Sequence, residues 1–464
     1  MIFPLFKRFS LPFFTRKRTK RFFIGTCLFL AVAAIALLTT VDRTPYRETE
    51  YYREFRRKIV SLPKPKPATG ADTLQVGWAK VNITPPHPMP TAGYGQRLGK
   101  RYTAVHDSIY VRAFVFDNGL QKAALVSADL LIIAPELTNA IARRLPAIGF
   151  SIEQTYLCAT HSHNSTGGWA GKLVGSLIAG GHEPEMIDFL ADGFAEAIRQ
   201  ADLNKATAAI GAVAYPAREL VENRLEITHP TDSLLRVLKI RKTSGETAVV
   251  ATFTAHPTLI SDEEIVLSRD YPGVLVDALE RSGKIDFAAF CAGAVGSHTT
   301  RTFGRNSWEA MDNEAGFLAK KIVIGFDKIP LGYHTQLRTV SVPLPLRQPH
   351  FRISGNIRLR PWVFHAAYGD YPSVIKGLRI GNTVWIGMPA DFSGELVPAI
   401  QPYGNWPRNP LFVTSFNGGY IGYVTPDAYY DRPYAETREM NWFGPYNGAY
   451  LTEAARETMR YLNW

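Results

Sequence analysis

Two histidines one residue apart, His161 and His163, stand in the segment ATHSHNSTGG directly after the strand-like run TYLCAT. On an extended chain, positions i and i+2 point the same way, so a pair at a strand end can aim both imidazoles at one point. That is a metal-site geometry, and the glycines that follow let a backbone approach a ligand closely. Another histidine, His256, closes the apolar run ATFTAHPT, where the next proline removes a backbone donor and ends the strand. Loops at strand ends are where α/β proteins place function. Asp129 in VSADLL, Asp270 in SRDYPG, Ser297 and His298 in CAGAVGSHTT, Asp391 in GMPADFSGE and Tyr423 in NGGYIGYVTP are polar residues set among small or turn-forming neighbours. Singly, each fits a structural role as well: Asp129 and Asp270 as helix caps, Tyr423 as a half-buried aromatic, the histidines as solvated loop residues. Together they offer imidazoles, a carboxylate and a phenol, donors that zinc accepts while leaving a position to water.

Such residues need a scaffold, and the pattern of the chain supplies one. Apolar, β-rich stretches occupy 110–116, 123–133, 155–160, 234–240, 248–254, 287–291, 374–388 and 411–415, and helical periodicity appears at 136–145, 185–201, 273–281, 314–326 and 452–462. Strands alternating with helices predict a mixed α/β domain of buried β-sheets flanked by helices. No linker interrupts the chain after residue 76, so residues 74–464 read as one catalytic-sized domain.

The formal charge of +11 suggests nucleic acid until it is partitioned. Residues 1–21 carry seven basic and no acidic side chains, residues 42–70 carry eight against four, and the rest of the chain balances at 37 of each. The globular part is neutral, which removes the case for a nucleic-acid partner. Between the basic segments, residues 22–41 (FFIGTCLFLAVAAIALLTTV) hold no charge, and at about 1.5 Å per residue they reach across a bilayer core of about 30 Å. This run predicts a transmembrane anchor, with the basic segment 1–21 on the cytoplasmic side and the domain outside the cytoplasm, facing a periplasm or a lumen. A cleaved signal peptide is the alternative, but the apolar run is long for one and no small-x-small site precedes Asp42. Residues 42–73, charged and then proline-rich, predict a semi-rigid tether. Three cysteines, Cys27, Cys158 and Cys291, lie in apolar runs and suggest no disulfide framework. Nothing in the sequence speaks to the oligomeric state.

On these residues the sequence resembles the neutral/alkaline non-lysosomal ceramidase family, zinc amidohydrolases that split the N-acyl bond of ceramide into sphingosine and fatty acid. The resemblance begins with VGWAKVNITPP and TAGYGQR, continues through YVRAFVF and LVSADLL, and is sharpest at ATHSHNSTGG, which is similar to the family's THTHSGPGG. FTAHPT, SRDYPG, GMPADF and GYIGYVTP follow in the family's order, with Tyr434-Ala435-Glu436 and Phe443-Gly444-Pro445 closing a series over about residues 75–450. The resemblance implies the family's α/β catalytic fold. It also implies zinc held by His161, His256, Asp391 and Tyr423, with His163, Arg224 and Tyr434 contacting the substrate amide and headgroup.

Three departures accompany it. GMPADF offers an aspartate where the family ligand is glutamate, so either the backbone shifts inward or Glu395 serves instead. The family's GDxSP reads AGAVGSHT, with Ala294 in place of the acid and Gly296 in line with the serine unless Ser297 slips in by one. The chain ends at Trp464, without the family's immunoglobulin-like C-terminal domain.

The expected reaction is amide hydrolysis by zinc-bound water, with His163 as general acid/base and Tyr434 and Arg224 on the oxyanion or a headgroup hydroxyl. A carboxylate such as Asp129 or Asp270 is expected to orient a zinc imidazole. An anchored enzyme meets lipid at high local concentration, which favours a lipid amide such as ceramide. The stretch GGWAGKLVGSLIAGG (167–181) reads either as a lip admitting an acyl chain or as a short helix packed on the core. The same zinc site would suit another acyl amide, an ester or a lactone, and the altered segments also fit a catalytically inactive lipid-binding homologue.

Overall fold

The computed structural model describes residues 16–64, 73–301, 303–370, 373–400 and 411–463. The first basic residues, 1–15, and the proline-rich stretch 65–72 lie outside them.

Near-continuous apolar runs, whose successive side chains point to opposite sides, give the central strands two buried faces, and two sheets stack on them. The larger sheet has eight strands in the order Phe287–Ala292, Thr247–Phe253, Leu234–Lys242, Ala206–Pro216, Gln75–Asn82, Tyr110–Asp117, Lys122–Ala128 and Thr155–Ala159. The smaller has four: Leu337–Pro343, Val374–Ile380, Thr383–Gly387 and Leu411–Thr414. Phe114, Leu125, Tyr156 and Ile240 of the larger sheet meet Leu378, Trp385 and Phe412 of the smaller in a dry layer. The opposite face of the larger sheet turns Val115, Val126 and Phe253 toward α3 (Pro135–Arg144), α5 (Pro184–Leu203), α6 (Asp270–Arg281) and α7 (Ser307–Gly325). The C-terminal helix Asn447–Leu462 covers the outer face of the smaller sheet through Tyr450, Leu451 and Ala455. The result is helices, sheet, sheet, helix, the mixed α/β architecture that the sequence predicts.

Differences from the sequence reading have local causes. The run 123–133 leaves the sheet after Ala128, and the run 374–388 is a hairpin folded at Gly381, whose φ of 57° suits glycine. Cys158 and Cys291 are buried and free.

α1 (Arg16–Leu37) is the one helix among the described residues long and apolar enough to cross a membrane. It ends four residues short of the expected span, because Leu38–Thr40 leaves the helix to pair antiparallel with Ile357–Leu359. The tether expected over 42–73 is also corrected for its first half. α2 (Glu50–Ser61) packs on the domain, with Phe55 fully buried edge-on against Tyr450 at 5.4 Å between ring centres. Burying one such ring is worth about 2 kcal/mol. Tyr46 and Tyr52 donate hydrogen bonds to Glu453, and Arg56 pairs with Glu457 at 2.9 Å. An amphipathic helix with an aromatic face binds a body; it does not span a gap.

α4 (Leu173–Ala179) is a short helix within 167–181, and α8 (Pro361–Tyr368) lies against it.

One buried acid stands apart. Glu314 of α7 is fully buried, and neither carboxylate oxygen has a hydrogen-bond partner among the described residues. Burial, then the Asp270 and Glu219 carboxylates, push its carboxyl from 4.5 up to about 9. Between those values the folded chain holds a proton that the unfolded chain releases, so this group lowers stability as pH rises, by up to about 1.4 kcal/mol per pH unit. Glu314→Gln is therefore expected to raise the thermal unfolding midpoint at pH 8 and to leave it nearly unchanged at pH 5. An equal shift at both pH values contradicts this account.

Candidate metal centre

The residues singled out for chemistry stand just beyond the carboxyl ends of parallel strands, the usual place for a site in such sheets. His161 follows Thr155–Ala159, which runs parallel to Lys122–Ala128. His256 follows Thr247–Phe253, parallel to Phe287–Ala292. Asp391 follows Thr383–Gly387, parallel to Leu411–Thr414. The two sheets thus deliver their strand ends to one place.

Three imidazoles converge there. The Nε2 atom of His256 lies 2.9 Å from those of both His161 and His163, which are 3.2 Å apart. His161 sits in the left-handed region at φ 66°, so the H-x-H pair converges through a local bend as well as through strand alternation. Its ring stacks on Phe416 at 3.8 Å, itself at φ 62°. Non-glycine residues held there store strain that the surrounding packing must offset. Gly93, at φ 125°, has no room for a side chain: a Cβ would lie 2.6 Å from the His163 Cα.

The protonation pattern follows from the neighbours. His161 Nδ1 lies 2.6 Å from the Leu131 carbonyl oxygen, which only accepts, so Nδ1 carries the proton and Nε2 a lone pair. His256 Nδ1 faces the Val295 carbonyl at 3.5 Å in the same sense. Burial, opposed by the Leu131 carbonyl and aided by the Arg224 charge, holds His161 down at about 3. Burial also holds His163 and His256 well below the usual imidazole value. All three are neutral at physiological pH, and the lone pairs of His161 and His256 turn toward one another, a pair that a cation between them would bridge.

Asp391 completes the group. Its Oδ1 is 3.7 Å from His161 Nε2 and has no hydrogen-bond partner among the described residues, while Oδ2 accepts from the Tyr420 hydroxyl at 2.8 Å. Burial, against Tyr420 and Arg224, pushes its carboxyl up to about 7. Asp391 and Tyr423 pair across neighbouring parallel strands. The Tyr423 hydroxyl accepts from Arg224 Nη2 at 3.0 Å, and the same nitrogen donates to the Gly296 carbonyl at 3.0 Å. Arg224 Nε stands 3.2 Å from Glu436, whose charge, with the hydrogen bond to the Tyr423 hydroxyl, keeps the buried guanidinium protonated. The orphaned Asp391 oxygen beside the inward lone pairs of His161 and His256 fits a divalent cation. The Nε2 spacings approach the edge of about 3.3 Å that a tetrahedron with bonds of about 2.0 Å requires.

Several expected residues lie elsewhere. Glu395 accepts from Tyr429 at 2.8 Å and stands 3.6 Å from His229 Nδ1, so Asp391 is the acid beside the histidines. The Ser297 hydroxyl pairs with that of Ser393, next to Glu395. Gly296 has no space for a serine, because a Cβ would meet the Asp391 carbonyl oxygen at 2.5 Å. Tyr434 has its described electrostatic partner in Arg432 and no described contact with the histidines. Asp129 and Asp270 do not orient the imidazoles; they accept from backbone amides of Tyr110, and of Ile260 and Tyr271. Backbone carbonyls of Leu131 and Val295 do so instead, and the sequence carries no signal for these, nor for Tyr420 and Phe416.

Comparison with known proteins places the chain in context. The model of the neutral/alkaline non-lysosomal ceramidase N-terminal domain matches residues 74–315. The neutral ceramidase of Mycobacterium tuberculosis is 24% identical over 218 residues, 42% of this chain and 34% of that protein. The neutral ceramidase of Drosophila melanogaster is 25% identical over 263 residues, 50% of this chain and 37% of that protein. The matched segments thus span little more than a third of these relatives. The crystal structure of the Pseudomonas aeruginosa neutral ceramidase superposes with a TM-score of 0.73 at 17% identity, covering 84% of this chain and 75% of that one.

If the converging imidazoles hold a metal, His256→Ala should lower bound zinc from about one per chain to below about a tenth in elemental analysis after metal-replete preparation, without loss of fold. Unchanged zinc content rules this centre out.

Proposed function

Because the chain belongs to the neutral/alkaline non-lysosomal ceramidase family, we propose that it is a membrane-anchored, zinc-dependent amidohydrolase that cleaves the N-acyl bond of ceramide or a related lipid amide. The observation that carries this reading is the meeting of three neutral imidazoles with the unpartnered Asp391 oxygen. His161, His256, Asp391 and Tyr423 would hold the zinc. Bound there, zinc supplies Lewis acidity and a water whose pKa falls toward about 7.

The chain's own groups do the rest. His163 starts neutral, with Nε2 directed at the same point, so it can take the proton of the attacking water and return it to the departing amine. Arg224 donates to the Tyr423 hydroxyl, which fixes the phenol, while burial and the Asp391 carboxylate hold its pKa above the usual value. Tyr434 is assigned to the substrate headgroup, on the family's pattern. The backbone of Gly296 presses on Asp391 where the family places a serine, so no hydroxyl acts at that position. This departure favours a second reading, a zinc hydrolase acting on another acyl amide, an ester or a lactone.

α1 serves as the anchor, with the basic N-terminus cytoplasmic and residues 74–464 forming the catalytic domain on the far side. Release of fatty acid by the purified full chain, measured with ceramide beside a panel of acyl amides and esters, tests the substrate. Ceramide cleavage supports the first reading, and cleavage confined to other acyl compounds supports the second. His163→Ala is expected to keep at least half of the zinc and to lose about 10²–10⁴-fold in kcat. Loss of zinc equal to that of His256→Ala would make His163 a ligand instead.

A further inference from the structure

Starting from the anchored reading above, we infer that α4 and α8 form a bilayer-seated rim, through which the centre is fed from the outer face of the membrane that α1 crosses.

α1 is joined to the domain without slack. Its last residues are followed at once by the strand pair Leu38–Thr40 with Ile357–Leu359. Beside that pair, Arg360 Nε donates to the Ile35 carbonyl at 2.9 Å, and the Trp362 indole donates to the Ala36 carbonyl at 3.3 Å. The membrane exit of α1 and the start of α8 are thus at one level. Trp362 is 57% exposed there, an aromatic at the depth where such rings settle between headgroups and acyl chains.

From α8 the surface passes to α4, which packs on it while leaving Leu173 64% and Leu177 55% exposed, with Ile178 beside them. α4 in turn lies on the strand Thr91–Gly93 and the turn Gly95–Arg97. These flank His163: Tyr94 places its ring 5.0 Å from that imidazole, and Arg97 donates to the His163 carbonyl at 3.0 Å. A continuous series of packed elements thus joins the anchor to the reactive centre.

Exposed leucines on a seven-residue helix cost stability in water, and an adjacent bilayer offers them an apolar phase. α1 cannot leave that bilayer, and the short strand pair holds α4 close to it. Lys172, at the start of α4, and Arg360 add positive charge suited to anionic headgroups. The occupant of this face is therefore lipid.

The test uses the full chain in nanodiscs with Cys27→Ser, carrying an environment-sensitive fluorophore at Leu177→Cys or, independently, at Leu173→Cys. Leu203→Cys is the control, 74% exposed at the far end of α5 and about 30 Å along that helix. Both α4 labels should emit to the blue of the control and lose at least half their intensity with doxyl-labelled lipids, while the control does neither. Water-like emission from both α4 labels overturns the inference. So does a blue shift without lipid quenching, which marks a contact with another protein molecule. Because the readout needs no turnover, a seated rim on a chain that cleaves no lipid amide would sink the functional proposal alone, and ceramide cleavage with unquenched labels would sink this inference alone.

Discussion

The meeting of three buried imidazoles at one point is the constraint that organises this molecule. The Nε2 atoms of His161 and His256, both acceptors by their tautomers, stand 2.9 Å apart in a buried setting and gain nothing from one another. Charging them is closed off, since burial and Arg224 keep the rings unprotonated. The arrangement suits a positive charge at its centre.

That arrangement comes from both sheets. Parallel strand pairs in each sheet end at the same level, and the dry layer between the sheets fixes one set of ends against the other. The left-handed conformations of His161 and Phe416 put an imidazole flat on a phenyl ring, so one packed surface sets the direction of the Nε2 atom. Gly296, fitted against the Asp391 backbone, ties the larger sheet's loop to the smaller sheet's acid. A side chain at Gly296 would separate the two halves of the centre.

Much of this was legible in the sequence, for physical reasons. H-x-H and His-Pro at the ends of apolar runs mark strand ends, and strand ends in α/β proteins carry function; the strand and helix alternation gave the architecture. Asp391 and Tyr423 were visible only as polar residues among turn formers, and their pairing depends on a parallel bridge between distant segments that local pattern does not encode. The carbonyls that set the histidine tautomers leave no trace in residue type. The stretch after the apolar helix misled because its charge suggested solvent, whereas Tyr46, Tyr52 and Phe55 form a face that packs on the C-terminal helix.

The central claim concerns the ligands of one cation, and X-ray absorption at the zinc K-edge of the metal-replete full chain addresses it directly. The account predicts a four- or five-coordinate nitrogen and oxygen shell at about 2.0–2.1 Å, with the outer-shell scattering of at least two imidazoles. A spectrum without imidazole scattering, or a chain that takes up no zinc, would contradict it.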